Sequence, residues 1–255
     1  MPTPIEVLLD PATLATLAIV AALALWEWLA PGRPLPRVRG WALRAGAAMV
    51  GYLLLATYLP LLWADVLAPL QLLDFAGWPT LAAAAAGVLV YEFGAFAYHW
   101  SMHRFEPMWR VLHQMHHSAE RQDVASAFWF SPWDMVGWTL LASVILTILG
   151  LSAPAATAAL LVITFLAVFQ HANVRTPVWL GYFVQRPESH SVHHERGVHR
   201  FNYSDLPVVD MLFGTFRNPR GYSPATGFWH GASARVLPML VARDISAQPH
   251  QGDKS

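Results

Sequence analysis

The chain has 255 residues, of which 55% are hydrophobic and 13% charged, whereas a soluble domain carries about 25% charged residues. Its formal net charge is zero and therefore gives no indication of a nucleic-acid partner. It contains no cysteine, which excludes disulfides, thiolate nucleophiles and iron–sulfur clusters. The composition therefore favours an integral membrane protein that forms one compact domain.

Apolar stretches of spanning length come first in the chain. A helical span needs about 20 apolar residues, and the stretches at about 12–31, 43–63 and 79–99 meet that length. A fourth apolar region runs from Val136 to Phe169 and is interrupted by a turn at Gly150–Pro154. Its halves are each slightly short for a straight span, so we expect a helical hairpin that either crosses the bilayer or re-enters from one side.

The arginines predict the orientation of these spans. No Lys or Arg precedes Arg33, so the first stretch lacks the basic start of a cleavable signal peptide and is predicted to be retained. The arginines within 33–44, 104–121 and 175–243 all fall on one side if the N-terminus is outside. By the positive-inside rule, that side is the cytoplasm.

These elements predict a single membrane-embedded domain over residues 1–242, with a histidine-motif region at about 92–215. The polar segment 243–255 is predicted to be a disordered tail. A short chain without a retention motif favours a bacterial inner membrane. The sequence leaves the oligomeric state open.

Nine of the twelve histidines lie between positions 99 and 194. They form a His-x-x-x-His pair, two His-x-x-His-His groups and one isolated residue: His99, His103, His113, His116, His117, His171, His190, His193 and His194. On a helix, residues three or four positions apart share a face, so each group presents its rings on one side. The remaining histidines are predicted to be non-ligands: His199, His230 and His250.

Nine imidazoles predict a site for two metal ions. Imidazole binds a metal while neutral, and nitrogen-only ligation suits Fe, Zn, Cu or Ni. Two metals with about six positions each would leave a few positions for water, a bridging group or O2. The surplus of ligands argues against a closed, four-coordinate structural zinc site, although the spacing alone does not select iron.

Glu92 is the acidic residue best placed to support this site. It precedes His99 by two helical turns and therefore lies on the same helix face. A metal-bound histidine usually donates its other N–H to a carboxylate or carbonyl, so we predict that Glu92 orients a ligand ring; pairing with a nearby Arg is the alternative. Weaker candidates for this role lie near the histidine groups: Asp123, Asp134, Glu188, Asp205 and Asp210.

At these residues the chain resembles the fatty acid hydroxylase/sterol desaturase superfamily of membrane di-iron oxygenases. The resemblance runs from about Glu92 to Thr215 and includes the acidic residue seven positions before His-x-x-x-His, both His-x-x-His-His groups and the isolated His171. It continues in Asn202-Tyr203 and in Asp210-Met-Leu-Phe-Gly-Thr215.

The resemblance implies an all-α integral membrane protein with about four transmembrane helices or helical hairpins and a cytoplasmic helical cap. In this cap the nine histidines would hold two Fe ions, with Zn as an alternative in the purified protein. The implied activity is O2-dependent hydroxylation or desaturation of a membrane lipid. Electrons would come from a separate donor such as cytochrome b5 or a ferredoxin.

Two departures from the family pattern affect the substrate. Trp100 stands where members often have Arg, and Phe128-Trp-Phe-Ser-Pro132 replaces a common Arg-x-His-Pro. We expect these positions to line the substrate entry, so the substrate of better-known members does not transfer to this chain.

Two other functions compete with the oxidoreductase. A membrane metal-binding or transport protein would need polar residues along several spans, whereas the span interiors here are almost purely apolar. A zinc-dependent membrane hydrolase would need three protein ligands and a general base, which nine rings exceed. Both are kept as alternatives.

Overall fold

The computed structural model describes residues 1–248, and within them the chain is helical, with two isolated β-bridges and no strand. The part of the predicted disordered tail at 249–255 lies outside the described residues. The α-helices in chain order are α1 (Pro4–Leu9), α2 (Pro11–Leu29), α3 (Trp41–Leu67), α4 (Thr80–Arg104), α5 (Glu106–Met108), α6 (Gln114–His117), α7 (Pro132–Leu149), α8 (Ala153–Phe169), α9 (Pro187–His193), α10 (Pro207–Phe213) and α11 (Val236–Leu240). A π-helical turn at Trp109–His113 precedes α6, and short 3-10 turns lie at Ala68–Leu70, Val124–Phe128, Val178–Tyr182 and Ala232–Ala234.

Helices α2, α3, α4 and α7 are long and apolar enough to cross a membrane. Helix α8 is apolar but has only 17 residues, which at 1.5 Å per residue is about 26 Å, slightly less than the hydrocarbon core of a bilayer. The prediction of an all-helical membrane protein with about four spanning helices is confirmed.

Helices α7 and α8 form the predicted hairpin. Helix α7 ends at Gly150, which has a φ of 60°, a left-handed conformation that glycine adopts without strain. The Ile148 carbonyl, close to this turn, accepts hydrogen bonds from the N–H groups of Leu72 and Leu73 at 3.0 and 2.9 Å. The turn therefore lies beside the connection between α3 and α4, which favours a hairpin that runs the full length of its neighbours.

Helix α4 is the central helix of the bundle. Helices α7 and α8 pack against it, while α3 packs on α7 and α2 packs on α8. Small residues on α4 permit this close packing: a Cβ added at Gly94 would lie 2.5 Å from Ile145 Cδ1 of α7. This central position matters for the site because α4 carries His99 and His103 near its C-terminal end.

The segments that connect and follow the spans form a cap over one end of the bundle. Glu27, near the end of α2, accepts hydrogen bonds from the N–H groups of Val124 and Asn173 at 2.9 and 2.7 Å. At the start of α3, Trp41 Nε1 donates to the carboxylate of Asp123 at 3.1 Å. These bonds fix the cap to the ends of the spans.

The first residues of the segment predicted as a disordered tail are part of this cap. Ile245 is buried in a cluster with Trp41 and Met115. Its N–H donates to Gln114 Oε1 at 3.4 Å, and its carbonyl accepts a hydrogen bond from Trp229 Nε1 at 2.9 Å. The packed domain therefore extends past the predicted boundary at residue 242.

Candidate metal centre

The nine histidines of the sequence pattern converge where α4 meets the cap. They come from the end of α4, the π-turn with α6, the residues after α8, and α9 with the residue after it. Eight of the nine are buried, and His103 is partly buried. A π-turn such as Trp109–His113 is common at functional sites, and here it precedes two of the converging rings on α6.

The rings divide into two groups, and within each group the ligand nitrogens lie within 4.8 Å of one another. The larger group contains His99, His103, His113, His117 and His193. The smaller group contains His116, His171, His190 and His194. Each His-x-x-His-His motif therefore gives its i, i+4 pair to one group and its middle ring to the other. We call these the five-histidine group and the four-histidine group.

The distances between Nε2 atoms have the size expected for neighbouring ligands of one ion. In the five-histidine group they are 2.9 Å for His99–His113 and 3.0 Å for His117–His193. In the four-histidine group they are 3.1 Å for His116–His171, His171–His190 and His190–His194. With metal–nitrogen distances of about 2.1 Å, ligands at right angles lie about 3.0 Å apart and tetrahedral ligands about 3.4 Å apart. The spacing thus fits neighbouring ligands of one ion within each group.

Hydrogen bonds on the far side of the rings hold them in this orientation. The Nδ1–H of His99 donates to the Tyr203 carbonyl at 2.7 Å, and that of His193 donates to the Phe201 carbonyl at 2.8 Å. The Nδ1–H of His171 donates to the Ala167 carbonyl at 2.7 Å. A carbonyl can only accept, so these bonds place the proton on Nδ1 and leave the Nε2 lone pair facing inwards.

A buried carboxylate orients one further ring. Asp134, at the start of α7, accepts a hydrogen bond from His113 Nδ1 at 2.8 Å, and both side chains are almost completely buried. In the described part of the chain, Asp134 is therefore the one acidic residue proposed from the sequence that directly contacts a ring of the site. The separation of 21 residues between His113 and Asp134 hides this pair from any local sequence pattern.

Glu92 does not make the contact with a ligand ring that we predicted. Within the described residues its Oε2 accepts hydrogen bonds from Ser204 Oγ at 2.7 Å and from the N–H groups of Asp205 and Leu206 at 2.8 and 3.1 Å. It thereby holds the turn next to Tyr203, whose carbonyl orients His99. Glu92 therefore positions the loop that carries the Tyr203 carbonyl and acts on His99 only through that loop. A catalytic role for Glu92 stays a prediction.

His199 was assigned to the non-ligands, and it lies beside the site. Its Nδ1 is 3.1 Å from Nδ1 of His117, so one of the two rings donates to the other. His199, Phe201 and Asn202 have φ values of 44°, 70° and 50°, a left-handed conformation that Asn and His adopt more often than other residues and that is strained for the bulky Phe201. Asn202 holds this loop in place because its Nδ2 donates to the carbonyls of Ser189 and Arg217 at 2.8 and 2.9 Å.

Burial keeps the rings of the cap neutral. It lowers the pKa of His171 to about 4, and it lowers the pKa values of the other cap rings well below the usual value: His113, His116, His117, His190, His193 and His194. At neutral pH their lone pairs are therefore free to bind a cation. His103 Nε2 is buried without a hydrogen-bond partner in the described part of the chain, a cost that a bound metal would remove. The residues present fit two metal ions.

A cavity of about 1020 Å³ leads towards this centre. It lies between α2, α3, α7 and α8 and is lined by Gly150 at one end and by Phe128 and Trp138 at the other. The ring of Trp138 lies 5.9 Å from that of His99, and Phe130 stacks on His116 at 4.3 Å. The segment Phe128–Pro132 differs from the family pattern, and its Phe128 lines the cavity. Trp100, the other position that differs, is exposed.

The fold and this centre define a membrane-embedded protein with a buried histidine site that can hold two metal ions. A sequence profile of the fatty acid hydroxylase family matches residues 84–215, which is more than half of the chain. The chain belongs to the fatty acid hydroxylase family.

Two curated relatives are similar to this chain. An ornithine lipid hydroxylase of Rhizobium tropici is 30% identical over 147 residues, which cover 56% of this chain and 44% of that protein. A Delta(7)-sterol-C5(6)-desaturase of Nicotiana tabacum is 30% identical over 149 residues, which cover 56% of this chain and 53% of that protein. The chain thus matches about half the length of these relatives. No solved structure matches it.

Proposed function

We propose that this protein is an oxidoreductase that uses O2 to hydroxylate or desaturate a membrane lipid at a histidine-ligated di-iron centre. The observation that carries the proposal is the division of nine buried, neutral rings into two groups whose nitrogens are about 3 Å apart. Membership of the fatty acid hydroxylase family supports it, as do the names of the two relatives, a lipid hydroxylase and a sterol desaturase.

The nine histidines would hold the two ions, five on one and four on the other. When bound, the two irons would supply the activation of O2 and the removal of hydrogen from an unactivated C–H bond. The chain's own part is to hold and orient. The carbonyls of Tyr203, Phe201 and Ala167 and the carboxylate of Asp134 keep the Nε2 atoms directed at the ions.

The cavity is the proposed binding site for the lipid. Its lining reaches from Gly150 to Trp138 on α7, which corresponds to about 18 Å of helix length. Its volume of about 1020 Å³ is at the upper end for small-molecule sites, as a long hydrocarbon requires. Trp138 and Phe128 would contact the carbon that is oxidised and keep water from the centre.

Three expectations from the sequence complete the proposal. The N-terminus would lie outside and the histidine cap and arginines would lie in the cytoplasm, in a bacterial inner membrane. Electrons would come from a separate donor, a cytochrome b5, a ferredoxin or a similar carrier. The cap, which holds the centre at one end of the bundle, supports access for such a carrier.

The test is a comparison of membrane lipids by mass spectrometry. Cells grown with iron and oxygen would express the chain, its His116→Ala/His193→Ala variant, which loses one ring from each group, or His230→Ala, which removes an exposed histidine. We expect a lipid class that gains one oxygen or loses two hydrogens with the chain and with His230→Ala, and not with the double variant.

Metal analysis of the purified protein supplies the second readout. Two irons per chain support the proposal, and the double variant should lose them while His230→Ala keeps them. Tightly bound zinc alone, with no oxidised lipid in any membrane, would replace the oxygenase with the zinc-dependent hydrolase or the metal-binding protein.

A further inference from the structure

An exposed apolar surface lies on the cap and joins the lipid-facing part of the bundle. It is formed by the 3-10 turn Val178–Tyr182 with Phe183 and by α10, which contact each other. Trp179, Phe183 and Leu212 are 63%, 68% and 67% exposed. Phe213 of α10 stacks on Phe96 of the spanning helix α4 with ring centroids 4.5 Å apart. Because it continues the surface of a span and carries aromatic residues, this surface fits the membrane interface.

A pocket of about 400 Å³ lies next in sequence to this surface. It is lined by Gly32–Pro34, Arg175, Glu188 and the segment Arg220–Pro224. Arg33 follows the end of α2 by four residues, and Arg175 precedes Val178 by three. Both connections lie just outside the apolar part of the chain, the level at which lipid headgroups are expected.

The charge of the pocket is positive. Three of its lining residues are arginines, Arg33, Arg175 and Arg220. Its acidic residue, Glu188, is buried and offset by the guanidinium of the buried Arg186 at 3.1 Å. The three arginines therefore present an excess of positive charge to whatever enters the pocket.

The arginines are held in place but retain donors for a ligand. Arg33 lies 4.5 Å over the ring of Tyr222, and its guanidinium donates to the Ser223 carbonyl at 2.5 Å and to Gln122 Oε1 at 3.3 Å, so it supplies a fixed positive charge. The donors for a ligand come from the exposed Arg175 and Arg220. Arg175 uses its Nε on the Gly32 carbonyl at 2.9 Å. Such a fork of guanidinium donors matches the oxygens of a phosphate group.

We propose that this pocket binds the headgroup phosphate of an anionic lipid from the leaflet on the side of the cap. Basic pockets beside membrane helices recognise such headgroups, and the adjacent Trp179 surface provides the apolar contact for the acyl chains. The pocket shares no lining residue with the large cavity. This lipid site is therefore separate from the proposed substrate site and does not depend on the proposed function.

The test measures lipid binding by the full-length protein in nanodiscs. Native mass spectrometry would compare retention of phosphatidylglycerol with that of phosphatidylcholine for the unchanged chain and for Arg175→Gln/Arg220→Gln. At about 1 kcal/mol for each arginine near an anionic surface, the double variant should lose about 30-fold in affinity for phosphatidylglycerol. The matched control is Arg235→Gln, an exposed arginine on the cap outside the pocket, and it should lose nothing.

The single variant Arg220→Gln guards against a folding defect, because Arg220 is exposed and makes no hydrogen bond in the described part of the chain. It should keep the helical circular dichroism spectrum and lose part of the preference for phosphatidylglycerol. Equal loss in Arg235→Gln, or no preference in the unchanged chain, overturns the proposal. Binding of inorganic phosphate without a preference for the anionic lipid would assign the pocket to a soluble phosphate and overturn it as well.

A separate experiment measures the depth of the pocket relative to the bilayer. Because the chain contains no cysteine, a spin label on Trp179→Cys reports the depth of the adjacent surface by its collisions with O2 and with a water-soluble nickel complex. The label should be more accessible to O2, as a label on Leu89→Cys, an exposed apolar position inside the spanning helix α4, should be. If the label on Trp179→Cys were as accessible to the nickel complex as a label on the exposed cap residue Ala234→Cys, the surface would lie in water. The pocket would then not lie at the headgroups, and the proposal would be wrong.

Discussion

Replacement of Asp134 by Asn should weaken one metal site and spare the other. Asp134 is completely buried and accepts the Nδ1–H of His113 at 2.8 Å, while His113 Nε2 lies 2.9 Å from Nε2 of His99. Both rings belong to the five-histidine group. The Asn side chain keeps the shape of Asp but lacks the charge that raises the basicity of the ring and offsets the charge of the ion.

The structure gives the size and the selectivity of this effect. Loss of such an outer partner usually costs 10- to 100-fold in metal affinity. The other orienting bonds described above end on backbone carbonyls, which the substitution does not touch. We therefore expect a loss of about this size for one ion of the two, without change in the four-histidine group.

The assay is a titration with a chelator, followed by metal analysis of the protein. The unchanged chain should lose its two ions together or in two close steps, whereas Asp134→Asn should lose the first ion at a 10- to 100-fold lower chelator concentration. Asp244→Asn makes the same chemical change at an exposed position and serves as the control. Equal loss of both ions, or no change, would refute the assignment of Asp134 to one group.

Three further outcomes follow from the packing and the electrostatics. Burial lowers the pKa of His171 to about 4 from 6.5; the unfolded state therefore binds more protons between these values, and the stability of the metal-free protein should fall as pH drops below 6.5, as thermal unfolding at stepped pH values would record. Gly94→Ala brings a Cβ to 2.5 Å from Ile145 and should destabilise the bundle by about 1–3 kcal/mol, whereas Gly46→Ala, which meets nothing within 4 Å, should not lower the unfolding temperature in detergent. Trp138→Ala extends the cavity towards the centre and should change the position of the oxidised carbon, found by mass fragmentation of the product, without change in metal content; an unaltered product would separate this cavity from the substrate.

The local pattern of the chain was sufficient for the spans and for the set of histidines. An apolar run of about 20 residues is long enough to cross a bilayer as a helix, so its length and composition are enough to predict a span. The structure has four such helices. Rings at i, i+3 and i+4 share a helix face by the geometry of the helix alone. Eight of the nine predicted residues have this spacing and the family resemblance added His171, and the structure brings all nine together.

The role of Glu92 shows where this reasoning ends. Glu92 lies on the same face of α4 as His99, which follows from the helix alone. This position suggested a contact between Glu92 and a ligand ring. The partners of Glu92 are Ser204, Asp205 and Leu206, more than one hundred residues away in sequence. A helix face determines which residues are neighbours along one element, but it holds no information on the loop that packs against it.

The amino-acid sequence by itself determined the membrane location of the helices and the identity of the converging rings, because both depend on spacing within single elements. The tertiary structure decided how the rings divide. His116 and His117 are adjacent in sequence and belong to different groups, since their partners His171 and His193 approach from separate elements. Only the packing of α4, α6, α9 and the end of α8 brings those nitrogens to distances of about 3 Å, and the cavity beside them exists for the same reason.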